Sequence, residues 1–336
     1  HADEATLDDL VTARVVNAAL GQGLEPGEIL HTHLSPSRSR RRATLHAMRT
    51  KKGAVVGFRE AGSHTIVDLR ECDVLAPELA AHVPALRELI ARYGSKGAAD
   101  IGLALCDQGV DVCIGNMAFE GLAANEAMLE YAREHGVARL SLDHGYGPET
   151  IWEPEPVTVT LSGVPVAFPV GAFLQATPDA EHRLVGDAQA WLKGAGLTVD
   201  LFAGLGTFTF ALREGRKVLG VEADRAAHLA CKKAGALTGG AVHAIHRDLF
   251  RNPLEPSELD RFSAAVLDPP RAGAKAQVAQ IAASKLTRVL YISCNPSSWA
   301  RDAATLAGAG FRLEKLRPVG QFRWYTHVEL ASLFVR

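Results

Sequence analysis

From residue 175 to its end, the chain alternates helix-patterned and strand-patterned segments, and few folds accept that grammar. Helical periodicity runs over 178–193, 207–213, 225–234 and 298–309. Short apolar runs of strand length lie at 197–202, 217–221, 242–246, 264–267 and 289–293. Strands joined through helices stack as a parallel sheet covered on both faces. The last two strand patterns, 312–319 and 327–335, break that rule. Their link is too short for a parallel crossover, which takes about a dozen residues or more. They are expected to pair antiparallel at the sheet edge. The fold class expected is α/β, a Rossmann-like sheet with an antiparallel last strand.

Ahead of residue 170 the pattern is different. Residues 44–49, 54–58 and 64–69 read as a β-meander, with turns at Lys51-Lys52-Gly53 and Ala61-Gly62-Ser63. A helix over 77–93 follows, then a hairpin of 101–106 and 110–114. A helix over 123–135 and strands at 137–142, 157–161 and 164–168 complete this half. Grouped strands with few helices predict a smaller α+β domain. With 336 residues and 47% hydrophobic content, each half can bury its own core.

No apolar run reaches the length of a membrane span, and no signal peptide is visible. Cys72, Cys106, Cys113, Cys231 and Cys294 show no paired spacing, which suits a reducing compartment. A cytoplasmic monomer with no membrane partner is expected. Cys106 and Cys113 fall in the hairpin strands and read as small core residues. The chain opens on His1 rather than methionine, so an upstream piece is expected. Net charge is only −2, yet seven basic residues and no acid lie between Arg38 and Lys52. Arg38, Arg40, Arg41 and Arg42 are candidate contacts to a phosphate backbone. A solvated loop remains the alternative.

Two successive apolar strands deliver polar or reactive groups at their carboxyl ends. Ala264-Ala-Val-Leu267 runs into Asp268-Pro-Pro-Arg271, and Leu290-Tyr-Ile-Ser293 runs into Cys294-Asn-Pro296. Open α/β sheets bind ligands at that end. Cys294 is therefore a candidate nucleophile. The first strand–helix turn, Asp200-Leu-Phe-Ala-Gly204-Leu-Gly206-Thr207, lets backbone amides approach a ligand. A dinucleotide site would want a third glycine where Thr209 stands. An acid at the strand end before the glycines suits a cationic ligand, S-adenosylmethionine. Glu222 ends the second strand, 18 residues after Gly204, where it can accept from ribose hydroxyls. A nicotinamide-binding dehydrogenase with a structural cysteine stays as the competing reading.

The chain resembles the S-adenosylmethionine-dependent RNA uracil-C5 methyltransferases, which make 5-methyluridine in tRNA and large-subunit ribosomal RNA. The matching segments are Phe173-Leu-Gln175, Asp200-Leu-Phe-Ala-Gly-Leu-Gly206, Asp268-Pro-Pro-Arg271, Ser293-Cys294-Asn295-Pro296, Ala300-Arg301-Asp302 and His327-Val328-Glu329. The resemblance implies a class I methyltransferase sheet over 171–336 and an inserted RNA-binding domain over 31–170. It also implies a helical segment over 1–30 packed on the catalytic domain. By the same resemblance Cys294 is the nucleophile and Glu329 the general base. Gln175, Phe202, Gly204, Gly206, Thr207, Glu222 and Asp268 surround the cofactor, S-adenosyl-L-methionine. The partner is RNA, 23S ribosomal RNA ahead of tRNA, and Arg38, Arg40, Arg41 and Arg42 are its candidate contacts. A catalytically silent RNA-binding module on the same fold is the further alternative, against which Cys294 and Glu329 stand intact.

Arg70-Glu71-Cys72-Asp73 resembles the segment that carries the last ligand of a 4Fe-4S cluster in the ribosomal RNA branch. The other three ligands would lie upstream of His1. A cluster takes about four thiolates, so Cys72 is expected to bind one only in a longer chain.

Overall fold

A computed structural model describes residues 3–60, 62–323 and 327–336. Ala61, in one of the expected turns, lies outside the described residues. They form two compact units. One comprises His1–Pro36, Thr160–Val166 and Pro178–Arg336, and the other Ser37–Val159 and Ala167–Thr177.

The first unit is built on strands β1 (Glu28–Ile29), β2 (His33–Leu34), β3 (Thr198–Leu201), β4 (Val218–Glu222), β5 (Val242–His246), β6 (Ala264–Leu267), β7 (Arg288–Ser293), β8 (Arg312–Gly320) and β9 (Glu329–Val335). Their order is β1-β8-β9-β7-β6-β3-β4-β5, with β2 also paired to β8. The strands β5-β4-β3-β6-β7 are mutually parallel. β9 runs antiparallel to both β7 and β8. The antiparallel pair is present, but it does not form the sheet edge as the sequence led us to expect. β1 and β2 cover β8 in parallel. Two-residue strands carry no periodicity by which to recognise them, and here they cover an edge that would otherwise expose its backbone groups.

Helices α1 (Glu4–Leu20), α2 (Pro178–Trp191), α3 (Thr207–Ala211), α4 (Arg225–Gly235), α5 (Lys275–Ala283) and α6 (Pro296–Gly308) flank this sheet. Strand alternation sorts the core into two layers. Val199, Leu201, Leu219, Val221, Ala265, Leu267, Val289 and Tyr291 pack with Val15 of α1, Ile281 of α5 and Trp299 of α6. Val218, Val266, Leu290 and Ile292 pack with Leu184 of α2 and Phe208 of α3. Central strands buried on both faces explain the continuous apolar runs. Trp299 Nε1 donates to Ser332 Oγ (2.9 Å), which donates to the Tyr291 carbonyl (3.1 Å), fastening α6, β9 and β7 together.

The second unit is an α+β layer. Its sheet runs Ile66–Asp68, Gly53–Arg59, Arg42–Thr50, Ala98–Cys106, Gly109–Gly115, Val137–Asp143 and Pro148–Trp152 in spatial order. Helices Pro77–Tyr93 and Leu122–Glu134 cover its apolar face through Leu79, Leu86, Ile90, Met128 and Tyr131. Cys106 is buried and Cys113 half-buried. Burial pushes their thiols up to about 12 and about 11, which disfavours the thiolate at both. No described helix is long and apolar enough to cross a membrane.

Candidate active site

Register places the polar residues at one end of the first unit's sheet. Leu201 pairs with Val221 on one side and Leu267 on the other. The next residues along, Phe202, Glu222 and Asp268, therefore stand level at the carboxyl ends of these strands. Ser293 pairs with Leu330 across β7 and β9. One step further, Cys294 and Glu329 come abreast on neighbouring strands. Their proximity registers electrostatically. The Cys294 thiol is pushed up by burial first, then by the carboxylates of Glu329 and Asp268, while Arg271 opposes them. The surroundings of Cys294 thus favour the thiol over the thiolate.

Side chains behind the cysteine hold its loop. Asn295 caps α6, accepting from Ser297 N (3.2 Å), and Pro296 occupies the first turn. Asn295 Nδ2 also donates to the Arg271 carbonyl (2.9 Å), joining the loop after β7 to the loop after β6. Asp302, fully buried, accepts from Tyr291 OH (2.7 Å) and Ala274 N (2.6 Å). Arg301 donates to Asp302 and to the Ala272 carbonyl. Gly273 sits at φ +80°, and a Cβ there would meet Arg301 Nη2 and Asp302 Oδ2 at 2.6 Å. Only glycine admits this approach. The Ala300-Arg301-Asp302 segment thus anchors the loop that carries Asp268 and Arg271.

The turn between β3 and α3 presents a different surface. Phe202 (φ +65°), Gly204 (φ +55°) and Gly206 (φ +100°) take left-handed conformations in succession. Phe202, Gly204 and Thr207 are partly exposed, whereas Gly206 is buried. A Cβ on Gly206 would strike the Phe210 ring at 2.6 Å. Glu222 accepts from Gly204 N (2.7 Å) and Asp224 N (2.6 Å), which fixes its carboxylate beside the turn. Each oxygen keeps further lone-pair capacity for ligand hydroxyls. Phe250 stacks at a tilt on Phe202, 5.3 Å between ring centres. The sequence carries no mark of this contact, because one aromatic after a strand gives no signal.

Asp200 corrects a sequence expectation. Read as the acid facing a cationic ligand, it is instead fully buried and points into the α2–α3 layer. It accepts from Thr209 Oγ1 (2.5 Å), and Oδ1 is buried without a partner. β3 runs one residue past it, so alternation turns Asp200 inward. Thr209, in place of a third glycine, supplies its donor. Burial raises Asp200 from 3.8 to about 7. With the folded value above the unfolded one, its contribution to stability is complete below 3.8 and is lost as pH rises through about 7. Asp200→Asn is expected to gain on wild type across that window, by at most roughly 4 kcal/mol. Parallel denaturant titrations from pH 4 to pH 8 measure it; equal slopes in both proteins exclude the assignment.

The sequence model of the tRNA (uracil-5-)-methyltransferase family matches residues 241–336, which include β6, β7, β9 and the Cys294–Glu329 pair. An uncharacterized RNA methyltransferase of Zymomonas mobilis is 45% identical over 100% of this chain and 85% of its own length. The 23S rRNA (uracil(1939)-C(5))-methyltransferase RlmD of Tolumonas auensis is 32% identical, across 86% of this chain and 67% of that protein. The chain belongs to the RNA uracil-C5 methyltransferase family. It is an S-adenosylmethionine-dependent enzyme that acts on RNA. The tRNA (uracil-54, C5)-methyltransferase of Pyrococcus abyssi, solved with S-adenosyl-L-homocysteine, shares the fold, with a TM-score of 0.75 and 22% identity. That match covers 98% of this chain and 83% of the other.

The remaining expected site residues of this methyltransferase lie in its second unit. Gln175 is buried there, and its carbonyl accepts from Arg41 Nε (3.0 Å). Arg42 Nε donates to the Leu174 carbonyl, and its guanidinium lies 4.3 Å from the Phe173 ring centre. Arg40 Nε donates to the Arg42 carbonyl (2.8 Å), and Arg38 pairs with Asp73 (2.9 Å). Arg41 and Arg42 thus tie their strand to the 174–175 segment, and Arg40 braces Arg42. The Cys72 sulfur accepts from Leu75 N (3.3 Å). Among the described residues no cluster of three or more His, Cys, Asp or Glu could hold a metal. A 4Fe-4S cluster therefore does not fit these residues by themselves.

Proposed function

We propose that this methyltransferase modifies a uridine of 23S ribosomal RNA through a covalent Cys294 adduct. Support for the mechanism comes from one observation, the β7–β9 register that sets Cys294 and Glu329 abreast beside Asp268 and Arg271. Uracil C5 is a weak nucleophile, and addition of a thiolate at C6 turns the ring into an enolate whose C5 can attack a methyl sulfonium. S-Adenosylmethionine supplies that methyl group. Cys294 forms and later breaks the bond to C6, and Glu329 accepts the C5 proton. Because the thiol is held protonated, Arg271 and a bound cationic methyl donor are the charges that would favour the thiolate. The target base must be unstacked to reach the cysteine.

The partly exposed Phe202, Gly204, Thr207 and Glu222 are proposed to receive the cofactor, with Asp268 at its border with the base. Gly206 supports that turn from beneath, and Gln175 is assigned to the cofactor through the family resemblance alone. Arg38, with the exposed Lys51 and Lys52, is proposed to meet phosphate, while Arg40, Arg41 and Arg42 chiefly hold the segment that presents it. Cys72 would ligate a cluster only together with thiolates from outside these residues. The ribosomal target is favoured by the 32% identity to RlmD of Tolumonas auensis. Mass spectrometry of ribosomal and transfer RNA from a deletion strain tests it. Loss of one 5-methyluridine from 23S RNA is the expected result, and loss from tRNA alone overturns the ribosomal assignment.

A further inference from the structure

We propose that Gln321 is a positioning residue that aims the Glu329 carboxylate during elimination, an inference that rests on reading Glu329 as the base. Gln321 is only 3% exposed, and its Nε2 donates a short hydrogen bond to Glu329 Oε2. The sheet explains why the two meet. Val319 pairs with Glu329 across β8 and β9, and Gln321 follows Val319 by two residues, on the same face. A diagonal neighbour at that offset reaches a long side chain on the facing strand.

The backbone that carries Gln321 is clamped. The preceding Gly320 lies against α1 and β2, and a Cβ there would meet Leu34 Cδ2 at 2.7 Å and Val11 Cγ2 at 3.2 Å. Its carbonyl accepts from Ser35 N (2.9 Å). Gln321 therefore offers its amide from a rigid support. A donor on a carboxylate favours the ionised, proton-accepting form and fixes which oxygen remains for the incoming proton.

The step served is elimination from the methylated adduct. Glu329 takes the proton from C5, the C5–H electron pair re-forms the C5=C6 double bond, and the C6–S bond breaks. Its electron pair leaves on the Cys294 sulfur. Thiolate addition and methyl transfer precede this step and do not use the carboxylate as a base. Loss of the Gln321 donor should therefore slow release of product and spare the first methyl transfer.

The test uses the full chain, labelled S-adenosylmethionine and total RNA from a strain lacking the enzyme. Gln321→Met removes the donor at similar volume, and Gln321→Glu keeps the shape but puts an acceptor in its place. Either variant should lower kcat by about ten- to a hundredfold, the worth of a hydrogen bond to a charged group. KM for RNA should fall with kcat, so that kcat/KM holds, affinity for S-adenosylhomocysteine should hold, first-turnover methyl transfer should stay near wild type, and a covalent protein–RNA band should build up. If Gln321→Met fails to bind S-adenosylhomocysteine, Gln321→Glu decides. Normal turnover without adduct overturns the inference, as does slowed first-turnover transfer without adduct. Glu329→Gln run in parallel separates the two claims. Adduct there and none in the Gln321 variants removes this inference alone, whereas none in Glu329→Gln removes the reading beneath it.

Discussion

Cys294→Ala should abolish methyl transfer, by roughly four orders of magnitude or more, as expected when a nucleophile is removed. S-Adenosylhomocysteine affinity should stay near wild type. The turn 202–207 and Glu222 belong to β3, α3 and β4, and their hydrogen bonds do not involve the cysteine. Stability should change little, because Cys294 lies beyond the end of β7 and the β7–α6–β9 fastening runs through Tyr291, Trp299 and Ser332. In the wild-type enzyme without RNA, alkylation of Cys294 should be slow at neutral pH and quicken as pH rises, since burial and two carboxylates favour the thiol. Measurable turnover by the alanine variant would remove the covalent route.

Glu329→Gln should divide the reaction at its midpoint. Glutamine keeps the shape of glutamate but does not accept a proton as a carboxylate does. Addition of Cys294 and methyl transfer should proceed, and the adduct should then persist as a shifted band on a denaturing gel. Steady-state turnover is expected to fall by about two to four orders of magnitude, the usual worth of a positioned acid or base. Removing the carboxylate also removes one of the charges that raise the Cys294 thiol, so alkylation in the variant should occur at lower pH than in wild type. If Glu329→Gln turns over at the wild-type rate with no trapped species, the base lies elsewhere in the site.

Much of the catalytic unit was legible because its determinants are local. Strands such as Ala264–Leu267 and Arg288–Ser293 are buried on both faces, so they appear in the sequence as short apolar runs. Asn295-Pro296 marks the start of α6 in the same local way. Other features lacked such marks. Helix α5 follows a loop shaped by Asp302 and Arg301, about thirty residues downstream, and has no start signal of its own in the sequence. The strands β1 and β2 exist only because β8 offers them an edge.

The sequence by itself determined the alternating α/β sheet, its antiparallel closing strand, and the identity of the groups at the strand ends. Each follows from burial periodicity and from residue types that a short window contains. Tertiary structure alone decided which way those groups face. Asp200 turns inward to Thr209 because β3 runs one residue beyond it. Arg40, Arg41 and Arg42 turn to the backbone carbonyls of Arg42, Gln175 and Leu174. The neighbours of Cys294 come from β9 and the loop after β6, and Gln321 reaches Glu329 from just past the end of β8. Such pairings depend on strand register between segments distant in the chain, and register is settled only when the whole sheet packs.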